Sequence, residues 1–117
     1  MQQWQMIKQG EAYLFKAISS SGDSKKRPWV IVSENTRNQY SRTVLAVPFT
    51  SDTRNVPPTR VRVPSGEGGL TVDSIAMCDR ITTIKKTLLD RGPYGGTIAA
   101  EYLSQIQDAV LIALGRY

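Results

Sequence analysis

The sequence predicts a mainly β fold, a small twisted antiparallel sheet or half-barrel closed by a C-terminal helix. Most of the chain consists of short apolar or alternating segments of strand length, separated by polar, glycine-rich or proline-rich turns. After the glycines between residues 92 and 96, the apolar residues adopt the spacing of an amphipathic helix. The chain has 117 residues and no repeat, linker or low-complexity stretch, so we expect a single domain over residues 1–117.

The first half of the chain contains three predicted strands. Residues 11–18 alternate partly between apolar and polar side chains and follow Gly10, which indicates a strand. Residues 27–33 and 42–49 are nearly continuous apolar runs, and such runs are typical of central, buried strands. Between these two runs, the polar residues 34–41 have room for a short helical turn.

In the second half, Arg60 to Val63 alternates arginine with valine. Because successive side chains of a strand point to opposite faces, this segment predicts a half-buried strand with both arginines on one face. Residues 74–79 and 81–85 predict one or two further strands. Residues 65–69 form a glycine-rich turn ahead of them.

The closing helix is predicted from residues three, four or seven positions apart. Its apolar face contains Leu103, Ile106, Ala109, Val110, Ala113 and Leu114. We expect Thr97 to cap the N-terminus, because threonine side chains accept hydrogen bonds from the first backbone N–H groups of a helix. Glu101 suits the first turn, and Gly115 is expected to end the helix.

The composition excludes much of enzyme chemistry. The chain has no histidine and a single cysteine, Cys78, so it lacks the usual general base, the commonest zinc ligand and any Ser-His or Cys-His pair. No HExxH, P-loop or GxGxxG pattern is present. The ten acidic residues are scattered singly, so we expect neither a metal site nor a cofactor.

The sequence contains no segment that suggests a membrane or secretion. No apolar run approaches the roughly 18 residues that a membrane-spanning helix needs. The first ten residues lack the basic and then apolar layout of a signal peptide. We therefore expect a cytoplasmic protein without a membrane partner.

Positive charge is concentrated in one third of the chain. The formal net charge is +5, and residues 25–62 contain eight basic side chains against only two acidic ones. A local basic surface on a small domain favours a polyanionic partner, since phosphate contacts supply much of the affinity for nucleic acids. A solvated basic face that merely keeps the protein soluble explains the charge alone equally well.

Several short segments, in a fixed order, carry a resemblance to a known family. They are Gly10-Glu11, Lys26 to Ser33, Val47 to Ser51, Gly69-Leu70, Ser74 to Asp79, Thr83-Ile84 and the closing helix. From about Gly10 to about Gly115, this layout resembles the MazF/PemK (Kid) family of toxin endoribonucleases. The resemblance implies an SH3-like barrel, a homodimer and metal-independent cleavage of single-stranded RNA at short motifs. It also implies a cognate MazE-like antitoxin whose acidic tail covers the RNA groove.

By the same resemblance, Arg27, Thr50 and Asp79 are the catalytic candidates. Metal-free cleavage uses the 2′-hydroxyl of the RNA as nucleophile and gives 2′,3′-cyclic phosphate and 5′-hydroxyl ends. The protein must take up the 2′ proton, stabilise the charge on phosphorus and help the 5′-oxygen to leave. The guanidinium of Arg27 suits charge stabilisation, the hydroxyl of Thr50 suits orientation, and Asp79 is the best carboxylate for the base.

Three positions near Asp79 depart from the family pattern and leave the assignment of base and acid open. Met77 stands where one branch of the family has an arginine, Arg80 where many members have a glutamine, and Thr82 where an arginine is usual. These departures can change the cleavage motif, or Arg80 can replace a phosphate-binding group. Asp23 is the nearest residue to an acidic position that the family usually has before the arginine-proline pair.

The expected RNA-binding residues are mostly basic. They are Lys25, Lys26, Ser51, Arg54, Arg60 and Arg80, with Arg62 on the same predicted face as Arg60. Unpaired bases can also stack on aromatic rings, but the aromatic residues of the strands are more often core residues. The aromatic candidates are Phe15, Trp29, Tyr40 and Phe49, and none is favoured strongly.

Two other functions are compatible with the same type of fold. One is a CcdB-like poison of DNA gyrase, but the chain ends in Leu-Gly-Arg-Tyr and lacks the tryptophan-glycine-isoleucine tail on which that action depends. The other is a non-catalytic RNA-binding module, which explains the basic segment without a role for Thr50. Replacement of Arg27 by alanine separates a catalytic role from a binding role.

Overall fold

The computed structural model of the chain describes residues 7–16 and 26–116. Seven strands and two α-helices follow one another along the chain. They are β1 (Ala12–Phe15), β2 (Pro28–Ile31), α1 (Asn35–Tyr40), β3 (Thr43–Thr50), β4 (Arg60–Val63), β5 (Ser74–Met77), β6 (Thr82–Lys85), β7 (Leu89–Arg91) and α2 (Ala100–Ala113). Short 3-10 turns at Glu67–Gly69, Cys78–Arg80 and Lys86–Leu88 connect the later strands.

The strands form one antiparallel sheet in the order β4-β5-β3-β2-β1-β7, with β6 also paired to β3. Strand β3 is the central element. One of its edges pairs with β2, whereas the other edge pairs first with β6, over Thr43 to Ala46, and then with β5, over Phe49 and Thr50. The sheet is not closed, because β4 and β7 remain at its two ends. The predicted mainly β fold with a C-terminal helix is confirmed in its half-barrel form.

Pro48 lies inside this central strand, although proline cannot donate a ladder hydrogen bond. Leu45 accepts a backbone hydrogen bond from Val32 of the β2 side, so Leu45 and every second residue after it direct their backbone groups toward β2. Pro48 therefore faces the other edge, between the last residue paired with β6 and the first paired with β5. Proline is tolerated here because its missing N–H lies at the point where this edge of β3 stops pairing with β6 and has not yet begun to pair with β5.

Two apolar clusters pack against the sheet. The cluster next to α2 includes Phe49, Val63, Ile98 and Ile106, and the other includes Trp29, Ile31, Val44 and Ile84. The predicted alternation of β4 is confirmed, since Val61 and Val63 are buried while Arg60 is half-buried and Arg62 is exposed. The predicted helical turn is confirmed as α1, whose N-terminus is capped by the carboxylate of Glu34.

The closing helix is confirmed, with two corrections. Its N-cap residue is Ala99 and not Thr97, and the carboxylate of Glu67 accepts the Ala99 N–H at 2.7 Å. Its apolar face ends before Ala113 and Leu114, which are both exposed, Leu114 by 68%. Gly115 ends the helix as predicted: its φ is +86°, and the N–H of Arg116 donates to the carbonyl of Leu111, which is the Schellman arrangement.

No helix within the described ranges is both long enough and apolar enough to span a lipid bilayer.

Candidate functional site

Four strands contribute their ends to one open cavity of about 480 Å³. The antiparallel pairing of β3 with β2 and β5 brings the end of β3 beside the starts of the other two strands, and the end of β7 joins them from the β1 side. This volume lies within the range of ligand-binding pockets. The lining residues are Lys26, Arg27, Pro28, Phe49, Thr50, Ser51, Gly69, Leu70, Thr71, Val72, Ser74, Arg91 and Tyr94.

Arg27 stands immediately before β2 and lines the cavity. Its side chain is half-buried, and Nη1 donates a hydrogen bond of 3.3 Å to the carbonyl oxygen of Phe49 at the end of β3. A guanidinium has five donors in a rigid plane, so a hydrogen bond to the backbone helps to fix its orientation. Arg27 is therefore tied to the end of the central strand.

Thr50 ends the central strand and lies beside Arg27 in the lining. Its Oγ1 accepts a hydrogen bond of 3.2 Å from the backbone N–H of Asp52, which shapes the turn after β3. An accepting hydroxyl keeps its own proton for donation to a second group. The turn thus orients the Thr50 hydroxyl, and Ser51 follows it as an exposed neighbour in the same lining.

The cavity is cationic. Among the described residues, its lining includes Lys26, Arg27 and Arg91 and no acidic side chain. Lys26 Nζ lies 3.5 Å from the carboxylate of Asp90, but 62% of the Lys26 side chain is exposed, so solvent weakens this ion pair. Two arginines and a lysine in one lining with the hydroxyls of Thr50 and Ser51 suit an anionic ligand such as phosphate.

Asp79 lies outside the cavity lining, in the turn at the other end of β5. One of its oxygens is 3.6 Å from Nε of Arg60, which starts β4. Arg60 is also close enough to Asp52 to contribute to lowering the pKa of that carboxyl. Asp79 and Arg60 therefore belong to a charged group that also includes Asp52, two residues after Thr50.

The other predicted RNA-binding residues are placed in several ways. Arg54 makes two hydrogen bonds of 2.9 Å to the carboxylate of Asp52, which holds the pKa of Asp52 well below its usual range. Arg62 donates to the carbonyl of Thr53 at 3.2 Å, and Arg80 is exposed beside Asp79. None of these arginines lines the cavity. Lys25 and Asp23 lie outside the described residues.

The aromatic candidates do not present open faces to the cavity. Phe49 contributes to the lining but is 1% exposed, Phe15 and Trp29 are buried in the sheet, and Tyr40 is exposed on α1. The aromatic residue that does line the cavity with a half-buried ring is Tyr94. Neither Tyr94 nor Arg91 was predicted from the sequence, because no periodic pattern marks the short strand β7 and the turn after it.

A glycine turn forms one wall of the cavity and packs against the segment that holds Tyr94. The φ of Gly69 is +82°, and a Cβ added there would lie 2.5 Å from the carbonyl carbon of Tyr94. A side chain at this position would separate the two segments. Gly69 therefore allows the close approach that completes the wall.

Within residues 7–16 and 26–116, no group of three His, Cys, Asp or Glu side chains is arranged to hold a metal ion.

Comparisons with known proteins agree with this fold. A relative named endoribonuclease MazF1, from Mycobacterium bovis, is 33% identical over 89 residues, which are 76% of this chain and 79% of the relative. The solved structure of a mycobacterial endoribonuclease in complex with its cognate antitoxin has a TM-score of 0.75 and 29% identity, covering 93% of this chain and 95% of that one. MazF in a MazE–MazF structure from Deinococcus radiodurans shares the fold, with a TM-score of 0.74, 17% identity, and coverage of 95% and 97%.

The sequence pattern of one toxin family matches almost the whole chain, from residue 8 to residue 114. This range includes both α-helices, all seven strands and every described residue of the cavity. The chain belongs to the PemK-like, MazF-like toxins of type II toxin-antitoxin systems.

Proposed function

We propose that this chain is an endoribonuclease toxin that cleaves single-stranded RNA in its cationic cavity without a metal ion. The observation that carries the proposal is the placement of Arg27 and Thr50 in one lining, each oriented by a backbone hydrogen bond. The family and the endoribonuclease relative at 33% identity support the reaction class. A pure RNA-binding module does not require a hydroxyl held beside an arginine.

In the proposed reaction, the 2′-oxygen of the RNA attacks the adjacent phosphorus. The bond from phosphorus to the 2′-oxygen forms while the bond to the 5′-oxygen breaks, so the products are a 2′,3′-cyclic phosphate and a 5′-hydroxyl. Arg27 stabilises the negative charge that develops on the phosphoryl oxygens, and the Thr50 hydroxyl donates a hydrogen bond to one of them. A base takes up the 2′ proton, and the departing 5′-oxygen gains a proton, so the number of protons is balanced.

Asp79 is the candidate base in this proposal. Its side chain is 42% exposed and forms an ion pair with Arg60, so a bound RNA strand can reach it from solvent. Because Asp79 lies outside the lining, a bound strand must extend from the cavity along the segment from Thr50 to Asp52 to meet it. Lys26 and Ser51 then contact RNA in the cavity, and Arg60 and Arg80 contact it beside Asp79.

The proposal includes the remaining partners expected of a toxin of this family. A mycobacterial relative was solved with its cognate antitoxin, which supports a similar protein partner for this chain. A basic cavity suits the acidic tail of such an antitoxin. We further propose a homodimer, in which a second copy covers part of the open sheet, and action in the cytoplasm, where messenger RNA is available.

Incubation of the purified protein with a long single-stranded RNA in EDTA tests the function. We expect cuts at a recurring short motif with cyclic-phosphate and 5′-hydroxyl ends. Arg27→Ala should abolish the cuts, whereas the matched control Arg42→Ala should leave them, because Arg42 precedes β3 at the end remote from Thr50. A requirement for added magnesium would refute the metal-free reaction. RNA binding without cutting would favour the binding module, and inhibition of DNA gyrase would favour the CcdB-like alternative.

A further inference from the structure

We propose that Tyr94 and Arg91 hold the nucleotide next to the cleaved phosphate, Tyr94 by stacking on its base and Arg91 by binding its phosphate. This inference rests on the proposed function and names two residues in the same cavity that deepen it.

The segment after β7 completes the cavity on the β1 side. Strand β7 pairs with β1, with Arg91 opposite Leu14, so the end of β7 emerges beside the strands that supply Arg27 and Thr50. Tyr94 then meets the glycine turn at Gly69, which forms the neighbouring wall. Arg91 and Tyr94 consequently face the same space as Arg27.

The backbone of Tyr94 is fixed on two sides. Its N–H donates a hydrogen bond of 3.0 Å to the carbonyl of Ala12 in β1, and Gly69 packs directly against its carbonyl group. The ring is half-buried and touches the apolar cluster next to α2. A tyrosine with a fixed backbone loses little further freedom when a ligand stacks on it, because its side chain has only two rotatable bonds.

The side chains of Tyr94 and Arg91 suit the base and the phosphate of a nucleotide, respectively. Burial raises the pKa of the Tyr94 phenol, so the ring remains neutral over the physiological range. The positive charge of Arg91 opposes that rise and the negative charge of Asp90 adds to it, so both charges lie near the ring. Neutral aromatic rings stack on unpaired bases of any sequence. An exposed guanidinium beside the ring binds phosphate with paired donors.

Arg91 and Tyr94 are also separate from the charged group around Asp79. Within the described chain no carboxylate lines the cavity, and Arg54 and Arg60 have acidic partners outside it. Arg91 is the cavity cation furthest along the sheet from Thr50, with β2 and β1 between their strands. Leu14 of β1 pairs with Pro28, which follows Arg27, and also with Arg91, so two strand spacings, about 10 Å, separate Arg91 from the start of β2. A phosphate on Arg91 is therefore a different phosphate from the one on Arg27, and the base between the two lies against Tyr94.

A binding experiment with a non-cleavable strand tests stacking separately from cleavage. The probe is a 2′-O-methyl oligonucleotide with the mapped cut motif, or one of mixed sequence if the wild-type protein cuts nothing. One abasic residue is moved along it, and the affinity is measured for wild type, Tyr94→Phe, Tyr94→Leu and the control Tyr40→Ala. Tyr40 is 78% exposed on α1 and does not line the cavity.

We expect one abasic position to weaken wild-type binding by about 5-fold to 150-fold, the scale of one base stacked on an aromatic ring. This penalty should persist in Tyr94→Phe and Tyr40→Ala and disappear in Tyr94→Leu, which keeps an apolar side chain against the core. An equal penalty in Tyr94→Leu and wild type would overturn the stacking role. The result does not depend on cutting, so a failure of the proposed reaction is recognised separately.

The salt dependence of RNA binding tests the role of Arg91. In Arg91→Ala, the plot of log affinity against log salt concentration should become less steep by the amount that corresponds to about one lost phosphate contact. Arg42→Ala should keep the wild-type slope. In cleavage assays, Arg91→Ala should raise KM more than it lowers kcat, because the contact is made in both the bound and the transition state. An unchanged salt slope and KM in Arg91→Ala would refute the phosphate contact.

Discussion

The carboxylate of Glu67 accepts a hydrogen bond of 2.7 Å from the backbone N–H of Ala99, 32 residues further along the chain. Glu67 starts the glycine turn that leads into the cavity wall, and Ala99 is the N-cap residue of α2. A negative charge at a helix N-terminus satisfies a backbone donor and complements the helix dipole. One side chain therefore joins the cavity wall to the helix that packs on the sheet.

We expect Glu67→Ala to lower the free energy of unfolding by about 0.5 to 2 kcal/mol, the scale of a lost N-cap. Urea unfolding followed by circular dichroism measures this change. Because the glycine turn loses its attachment to α2, RNA cleavage should also decrease while the sheet remains folded.

Glu101→Ala is the matched control for this prediction. Glu101 is exposed in the first turn of the same helix and has the same charge. Its replacement should cost only a few tenths of a kcal/mol, the scale of an exposed charge near a helix end. Equal losses in the two variants would show that the contact with Ala99 is not the source of the stability.

The hydrogen bond in the turn after β3 allows a prediction about the catalytic role of Thr50. Its hydroxyl has two uses, acceptance of the Asp52 N–H and donation toward the substrate. Thr50→Ala removes both, so we expect turnover to fall by about 10-fold to 1,000-fold, the scale of one lost transition-state donor. Thr50→Ser keeps the hydroxyl and should retain most of the activity. Single-turnover cleavage compares the two, and a near-wild-type rate for Thr50→Ala would assign Thr50 a structural role only.

Asp79 requires a test that separates a base from an ion-pair partner. Asp79→Asn preserves the size of the side chain but removes its negative charge beside Arg60. If Asp79 is the base, single-turnover cleavage should fall by about 100-fold or more, and the remaining activity should lose its acidic limb in a pH profile.

The variant Arg60→Gln is the control for Asp79, because it removes the same ion pair from the other side. It should leave the acidic limb of the pH profile in place even if RNA binding weakens. If Asp79→Asn and Arg60→Gln lower cleavage equally without a change in the pH profile, Asp79 serves only the ion pair.

The sequence was sufficient to predict the elements whose signals are local. Alternation in Arg60 to Val63 and the apolar run of β3 each report burial directly, and the observed strands agree closely with them. The spacing of Leu103, Ile106 and Val110 likewise predicts the face of α2 that meets the sheet. These patterns depend on one element and its immediate neighbours, so no tertiary information is needed.

The features that were missed depend on contacts between distant residues. Strand β7 has only three residues, two of them exposed, and exists because it pairs with β1, far away in sequence. The cap of α2 comes from Glu67 and not from Thr97, because the turn at Gly69 brings that carboxylate to the helix. Arg91 and Tyr94 enter the cavity through the same long-range pairing, and no local pattern distinguishes them.

Cys78 provides a prediction about pH. Its side chain is buried in the cluster next to α2, and burial raises the pKa of the thiol to about 12, with the nearby charge of Asp79 acting in the same direction. In the unfolded chain the thiol titrates near its ordinary pKa of about 8.5. Because the folded state keeps the thiol protonated to higher pH, its contribution to the free energy of unfolding is complete below the pKa of the unfolded chain. The contribution is lost as the pH rises from there toward the folded-state pKa of about 12.

We therefore expect the free energy of unfolding of the wild type to fall more steeply between pH 8 and about 10.5 than that of Cys78→Ala, which lacks the thiol. The comparison isolates the cysteine, because buried tyrosines contribute equally to both proteins. At pH 8, a thiol reagent should label the native protein far more slowly than the urea-unfolded protein, since the thiolate is the reactive form. Parallel stability curves together with rapid native labelling would mean that the thiol is accessible and titrates normally in the folded chain.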